Sequence, residues 1–203
     1  MISRYKVKYV RDLKEIALYL NSNFSSRMSY HQLRKLFSLK SVHTIKNYLS
    51  FLEEAYLIFQ LYPFSYKAKN RAGYSKKIYG IDPGIINAVT SQFSPNWGKI
   101  MENLVFLELK RRNHEVYFYT DLNIEVDFIV KEGLKISQLI QVCFNIESPK
   151  TKKREIVSLV KAANRLKNDN LIVITWDYEA EEQFRGKKIR LVPLWKWLLE
   201  KNP

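Results

Sequence analysis

The sequence is poor in cysteine, in acidic residues and in long apolar runs. The one cysteine, Cys143, has no partner for an internal disulfide, so we expect a reducing compartment. No apolar run approaches the roughly 20 residues that a membrane-spanning helix requires, which excludes a membrane partner. The charged start, residues 1–8, does not have the pattern of a signal peptide. These absences together predict a soluble, cytoplasmic protein.

Acidic residues are outnumbered by basic ones, 20 to 34, which gives a net charge of +14. Residues 1–90 carry +10 of this excess and residues 91–203 carry +4. A basic excess concentrated in one part of a chain favours a polyanionic partner, most simply DNA, because phosphate contacts release counterions. The alternative is a merely soluble basic surface, since charge alone does not show that binding is specific.

The rest of the composition is typical of a folded protein. Hydrophobic residues make up 46% of the chain and aromatic residues 14%, which excludes a disordered chain. A length of 203 residues suffices for two modest domains. Periodicity breaks between Ala88 and Trp97, where Ser, Pro, Asn and Gly residues cluster. We therefore place one domain at residues 1–90 and a second at residues 91–203.

The first domain is predicted to contain three helices and a hairpin. Apolar faces at helical spacing mark the helices: Leu13, Ile16, Ala17 and Leu20; Leu33, Leu36 and Phe37; and Ile45, Leu49, Leu52 and Tyr56. Ser29 and Ser41 are good N-caps for the second and third helices. The short turn between those helices is typical of a helix-turn-helix. Because a hairpin follows, residues 57–66 and 74–81 around a basic tip, the domain is predicted to be a winged helix.

In a helix-turn-helix the second helix of the pair enters the major groove of DNA. With its apolar stripe turned inward, the outer face of that helix has polar residue types that suit base edges and phosphates. These residues are His43, Lys46, Asn47 and Ser50. The hairpin, or wing, adds the cations Lys67, Lys69, Arg71, Lys76 and Lys77. We predict that both groups contact DNA; the alternative is a winged helix that docks a protein or dimerises.

The second domain is predicted to contain a helix from Trp97, three strands, a helix, two strands and a closing helix. The three strands, near residues 115–120, 124–131 and 135–144, are rich in β-branched and aromatic residues. The fully apolar segment 171–175 is expected to be a central strand parallel to its partner. The fold class is therefore α+β or α/β, with a mixed sheet flanked by helices.

Strand alternation is expected to bring polar residues of this domain together. It places Asp127 and Ile129 on one face of the second strand and Val126 on the other. In the third strand Gln141 and Cys143 share a face. Antiparallel pairing of the two strands then collects Asp127, Gln141 and Cys143, with Glu102 reaching in from the helix. The oxygen ligands of this cluster suit a hard divalent cation, Mg²⁺ or Mn²⁺.

Glu102, Asp127 and Gln141 are the candidate catalytic and metal-binding residues. Glu102 lies on the apolar stripe of the first helix, where an acid is costly unless it is paired or bound to a metal. In a metal-dependent nuclease such residues hold the cation that activates water, and a lysine two residues further on steadies the nucleophile or leaving group. Cys143 holds that lysine position. The alternatives are that Glu102 caps the helix or faces water, and that Cys143 is a small apolar residue, a metal ligand or a redox thiol.

Segments spread along the chain resemble the domain of unknown function 4143, the C-terminal region of a large family of prokaryotic AAA-type ATPases. The segments are Ser41–Tyr56, Lys77–Gly84, Glu102–Leu109, Glu125–Phe128, Gln141–Cys143, Arg154–Ile156 and Val192–Leu199. The resemblance implies a winged helix followed by a restriction-endonuclease-like domain of the PD-(D/E)xK type. Because members of that family commonly have Gln-Val-Cys at residues 141–143, it also implies that the catalytic site is vestigial or altered. The implied partner is an ATPase domain in the same or another chain.

The chain contains no G-x-x-x-x-G-K-[ST] phosphate-binding loop, since Gly186-Lys187 has no glycine five residues earlier. We therefore expect no ATP hydrolysis by this chain alone, which is either a C-terminal fragment or a stand-alone descendant of a longer protein. The function predicted is a DNA-binding accessory module of an AAA-type ATPase with a degenerate, non-catalytic nuclease-like domain. The alternatives are a divalent-metal-dependent DNA nuclease and a protein-interaction or autoregulatory module that docks on an ATPase domain.

Overall fold

The computed structural model describes residues 5, 7, 9–66, 75–85 and 96–200. These residues form two compact units. The first contains the described residues up to Tyr62 together with residues 75–85, and the second contains Pro63–Tyr66 together with residues 96–200. Each unit has its own sheet. No helix in this described part of the chain is long and apolar enough to span a bilayer.

Among the elements whose bounds are described, the first unit has three helices and a three-stranded antiparallel sheet. The sheet has the order β1-β3-β2. The elements are α1 (Val10–Ser22), β1 (Ser26–Met28), α2 (Tyr30–Leu36), α3 (Val42–Glu54), β2 (Ile58–Leu61) and β3 (Lys76–Gly80). The three helices and the β2–β3 hairpin agree with the sequence prediction, whereas β1 was not predicted. With three residues, β1 is too short to show a periodic signal.

The core of the first unit is formed by the apolar stripes of the helices. Leu13, Ile16 and Leu20 of α1 and Ile45, Leu49 and Leu52 of α3 are all buried. Two predicted core residues are exposed instead. Leu36 is 55% exposed because the short helix α2 buries one turn, at Leu33. Tyr56 is 68% exposed because it lies beyond the end of α3 with a φ of 54°, where helical periodicity no longer applies.

Side-chain caps fix the start of α2 and α3. The Ser29 hydroxyl accepts a hydrogen bond from Gln32 N at 3.1 Å, and the Gln32 side chain accepts one from Ser29 N at 2.8 Å, a complete capping box. Ser41 accepts from His43 N at 3.1 Å without the reciprocal bond. We expect Ser29→Ala and Ser41→Ala each to lower the free energy of unfolding of this unit by about 1 kcal/mol, because each removes the acceptor of one backbone N–H at a helix start. Urea unfolding followed by far-UV circular dichroism checks both, and no loss in either variant would contradict the expectation.

The second unit has a six-stranded mixed sheet of order β4-β5-β6-β7-β9-β8. Its elements are α4 (Trp97–Arg111), β4 (Glu115–Asp121), β5 (Ile124–Glu132), β6 (Lys135–Cys143), α5 (Pro149–Leu166), β7 (Leu171–Thr175), β8 (Ala180–Phe184), β9 (Lys187–Pro193) and α6 (Leu194–Leu199). As predicted, β7 is central and parallel to its neighbours β6 and β9. The edge strand β8 was not predicted, because its polar sequence lacks an apolar alternation.

Helices cover both faces of this sheet. One face packs on α5, whose apolar stripe at Ile156, Leu159 and Ala163 forms one cluster with strand residues such as Leu139 and Val173. The alternate strand residues point to the other face, where Phe106 of α4 stacks on Phe128 at 6.4 Å between ring centroids. Both faces of β7 are buried, which explains why its sequence is apolar throughout.

A β-bulge in β5 corrects the predicted strand alternation. Tyr117 pairs with Ile129, but Tyr119 pairs with Val126, so the two residues Asp127 and Phe128 lie opposite one residue of β4. As a result Val126 and Ile129 share the α5 face, whereas simple alternation placed them on opposite faces. The bulge therefore sets the direction of the Asp127 side chain.

Candidate functional site

Asp127 and Gln141 meet where β5 and β6 run side by side in the second unit. Asp127 N donates to Gln141 Oε1 at 3.3 Å, and one Asp127 carboxylate oxygen accepts from Val142 N at 3.0 Å. Both side chains are buried. Side chains at the bulge thus replace regular backbone pairing, and the two residues that the sequence singled out lie in direct contact.

Glu155 of α5 completes this buried polar group. Gln141 Nε2 donates to Glu155 Oε2 at 2.7 Å, and Arg154 Nε donates to Glu155 Oε1 at 3.0 Å. Burial raises the pKa of Glu155, and the Arg154 hydrogen bond opposes that rise. The orientation of the Gln141 amide is defined, since exchanging its oxygen and nitrogen would break the bonds to Asp127 and Glu155. Asp127, Gln141, Glu155 and Arg154 are called the polar network below.

The polar network does not fit a magnesium or manganese site. Such a cation needs about six oxygen ligands directed at one point, but the Gln141 oxygen accepts an amide proton and the Glu155 carboxylate is paired with Arg154. Glu102 is half-buried on α4, the helix on the opposite face of the sheet from α5. Among the described residues, no group of three or more His, Cys, Asp or Glu side chains is placed to hold a metal ion.

Cys143, which the sequence predicts to hold the position of a nuclease lysine, is buried on the α5 face of β6. Burial, and then the nearby charge of Glu155, raises the pKa of its thiol to about 11. The thiol is therefore protonated at neutral pH, when it is a poor nucleophile and a poor metal ligand. Its packing in the apolar cluster agrees with the small apolar residue that the sequence allowed as an alternative.

In the first unit, α3 presents a polar face to solvent. His43, Lys46, Asn47 and Ser50 are all exposed, because the apolar residues of α3 take the opposite face. The Ser50 hydroxyl donates to Glu54 Oε1 at 3.2 Å. Lys46 lies with its ammonium group 5.6 Å from the centre of the Tyr30 ring. These four residues are called the α3 face below.

The wing cations are placed differently from one another. Lys67, Lys69 and Arg71 lie outside the described residues. Lys76 and Lys77 are described and are each only 3% exposed, so neither is presented at a surface. The Lys76 ammonium lies 3.6 Å from the centre of the Tyr30 ring, and burial lowers its pKa to about 8. The attraction between the ammonium group and the Tyr30 ring makes Lys76 part of the packing between β3 and α2.

Sequence reasoning missed Glu155 and its pairing with Arg154. A signal was present, because Glu155 lies four residues before Leu159 on the buried stripe of α5. An acid at such a place indicates a buried partner. The partner itself could not be named from the sequence, since Gln141 is fourteen residues away and reaches Glu155 only through the pairing of β6 with its neighbours.

Two family models match the chain. Residues 97–197 match the domain of unknown function DUF4143, and residues 3–96 match a second domain of unknown function, DUF8612. From the sequence, the resemblance to DUF4143 was expected to cover nearly the whole chain. The DUF4143 model matches the C-terminal part alone. No solved structure matches the chain significantly.

The chain is also similar to proteins from an archaeon and a bacterium. An uncharacterized protein of Methanocaldococcus jannaschii, MJ1544, is 38% identical over 98% of this chain and 47% of its own length. An uncharacterized protein of Haemophilus influenzae is 26% identical over 97% of this chain and 48% of its own length. The chain thus spans about half the length of the curated relatives that it matches.

Proposed function

From the premise that residues 97–197 are a DUF4143 domain, we propose that this chain is a DNA-binding accessory module of an AAA-type ATPase. Its first unit acts as a winged helix that binds duplex DNA through the α3 face. Its second unit has a PD-(D/E)xK nuclease-like fold whose catalytic site has become a structural network. The exposed α3 face is the observation that carries the proposal.

The first unit supports DNA binding by its topology and its charge. Three helices with a β2–β3 hairpin agree with the winged-helix arrangement, and α3 is the helix that would enter the major groove. Lys46 and Asn47 suit a phosphate and a base edge, respectively. The +10 charge of residues 1–90 supports long-range attraction to phosphate. Together these features favour DNA over an uncharged protein surface.

The second unit supports a non-catalytic role. The order α4-β4-β5-β6-α5-β7 supports a nuclease-like core, in which we propose that Asp127 and Gln141 occupy the positions of a former catalytic pair. One Asp127 carboxylate oxygen accepts from Val142 N and the Gln141 amide bonds to Asp127 N and Glu155, however, and Cys143 supplies no positive charge. In our proposal the network stabilises the crossing of α5 over the sheet instead of holding a reacting phosphate.

The proposed partnership with an ATPase is supported by the resemblance to DUF4143 and by the length of the two relatives. The two relatives are about twice as long as the aligned region, which leaves room for a further domain. We propose that the region outside the alignment is the ATPase and that this module directs it to DNA. Deletion of the module from MJ1544 is expected to abolish stimulation of ATP hydrolysis by DNA; unchanged stimulation would contradict the partnership.

Charge reversal on the α3 face tests DNA binding directly. We expect Lys46→Glu to weaken binding of a labelled duplex at all sequences and to reduce the slope of log K against log salt by about 1, because a phosphate contact is lost. Fluorescence anisotropy at several salt concentrations measures both quantities. Lys14→Glu is the matched control, since Lys14 is exposed on α1 and carries the same charge change. Equal effects of the two substitutions, or no duplex binding at low salt, would refute the proposal.

A further inference from the structure

Three aromatic side chains form an exposed cluster at one edge of the second unit. Phe144 directly follows β6, Trp176 directly follows β7, and Trp97 begins α4. Trp176 lies 5.4 Å from Phe144 and 6.2 Å from Trp97 between ring centroids. We call these residues the aromatic platform. It lies at the carboxyl ends of parallel strands, where ligands of open α/β sheets bind.

The platform is exposed to a degree that is unusual for residues of this size. Trp97, Trp176 and Phe144 are 49%, 51% and 36% exposed. Their ring planes are inclined to each other by 50° and 57°. Exposed aromatic rings favour stacking on planar groups.

Exposed cations follow the platform residue Phe144 in the chain. The first turn of α5, which begins five residues after Phe144, carries the exposed side chains Lys150 and Lys153. Lys152 of the same turn is ion-paired with Glu182, and its ammonium lies 5.1 Å from the centre of the Tyr178 ring, two residues beyond Trp176. The first turn of α5 therefore lies beside the segment that follows Trp176. The turn that holds Tyr178 is fixed by a bond from Tyr178 N to Thr175 Oγ1 of 3.1 Å. Aromatic faces beside ammonium groups complement bases joined by phosphates.

We propose that the aromatic platform binds single-stranded nucleic acid, with bases stacked on Trp97, Phe144 and Trp176 and phosphates near Lys150 and Lys153. This is the combination used by proteins that bind single strands without sequence preference. A hydrophobic protein segment would gain nothing from the flanking cations, which is why we favour nucleic acid. The site is separate from the α3 face and does not depend on duplex binding by the first unit.

The test uses the complete chain and a labelled oligothymidine of about 15 nucleotides, within the usual range of single-strand site sizes. We expect the oligonucleotide to quench tryptophan fluorescence, because two of the four tryptophans belong to the platform. Trp176→Ala is expected to weaken binding by about fivefold to a hundredfold. Lys153→Glu is expected to weaken it with a smaller salt slope, whereas Lys161→Glu, further along the same helix, leaves binding unchanged.

Two further controls separate this site from the proposed duplex site. Leu134→Ala removes a fully exposed apolar side chain outside the platform and is expected to leave oligothymidine binding unchanged. Lys46→Glu is expected to weaken duplex binding only, and Trp176→Ala single-strand binding only. Absence of oligothymidine binding, or wild-type binding by Trp176→Ala, overturns the inference whatever the duplex result.

Discussion

Arg112→Ala is expected to lower the free energy of unfolding of the second unit by roughly 3–5 kcal/mol, the usual cost of breaking a buried ion pair from one side. The Arg112 side chain is 8% exposed and its Glu108 partner 10%. Arg112 Nε donates to Glu108 at 2.5 Å, and Nη2 donates to Trp197 O at 2.9 Å. Loss of the guanidinium leaves Glu108 paired with the exposed Arg111 and removes the donor that Arg112 gives to the carbonyl of Trp197.

The arginine also joins two elements of the fold. Its guanidinium carbon lies 4.6 Å from the centre of the Trp197 ring, and Trp197 is fully buried. Nη2 reaches Leu198 O as well, at 3.3 Å, so Arg112 caps the carbonyl end of α6. Truncation to alanine therefore removes the packing that holds α6 against α4 together with the ion pair.

Arg111 is a matched control on the same helix. It also pairs with Glu108, with Nε 2.6 Å from Oε2, but its side chain is 70% exposed. Arg111→Ala is expected to cost no more than about 1 kcal/mol, as exposed pairs do. All four tryptophans lie in the second unit, so tryptophan fluorescence during urea unfolding reports that unit. Equal losses for the two alanine variants would contradict the role assigned to burial.

The difference in stability between wild type and Arg112→Ala is expected to change with pH in one direction. The hydrogen bond from Arg111, followed by that from Arg112, lowers the pKa of Glu108 below its ordinary value of 4.5. A lowered carboxyl pKa gives stability that is present above the unfolded-state value and is lost as pH falls through the folded one. We therefore expect the gap between wild type and Arg112→Ala to narrow below about pH 4. A gap that widens on acidification would contradict the ion-pair argument.

The sequence predicts the helices of both units well because each buries a stripe of regular period. Ile45, Leu49 and Leu52 are an example, and the prediction is wrong at Tyr56, where a positive φ ends the helical period. The sheet face to which a strand residue points is harder to predict, because one bulge at Asp127 reverses the alternation beyond it. Val126 and Ile129 were assigned to opposite faces for this reason alone.

Only the part of the candidate site that lies on adjacent strands could be predicted from the sequence. Asp127 and Gln141 were expected to approach each other, and they do so because β5 and β6 are consecutive antiparallel strands. Glu155 joins them from a helix, and its contact depends on the rotation of α5 over the sheet. No local pattern encodes that rotation. The same limit applies to the platform, whose members Trp97, Phe144 and Trp176 come from three separate elements.

Gln141→Leu is expected to lower the free energy of unfolding of the second unit by roughly 2–4 kcal/mol, because it deprives two buried groups of a partner. Asp127 N loses its acceptor and Glu155 Oε2 loses its donor, while the side-chain volume hardly changes. Gln138→Leu is the matched control on the same strand. Gln138 is equally buried, but it bonds to the exposed Asn170 at 3.3 Å, so its loss is expected to cost about 1 kcal/mol.

The size of the Gln141→Leu effect is expected to depend on pH, since it acts on the ionised form of Glu155. Burial raises the pKa of Glu155 above 4.5, so the folded chain binds the proton more tightly and stability falls as pH rises from that value to the raised pKa. Without the Gln141 donor the pKa rises further, and the destabilisation is expected to be larger near about pH 8 than near about pH 4. Glu155→Gln keeps an acceptor for Gln141 without the charge, and is expected to abolish this pH dependence. A Gln141→Leu effect that is equal at both pH values would show that the polar network does not hold an ionised carboxylate.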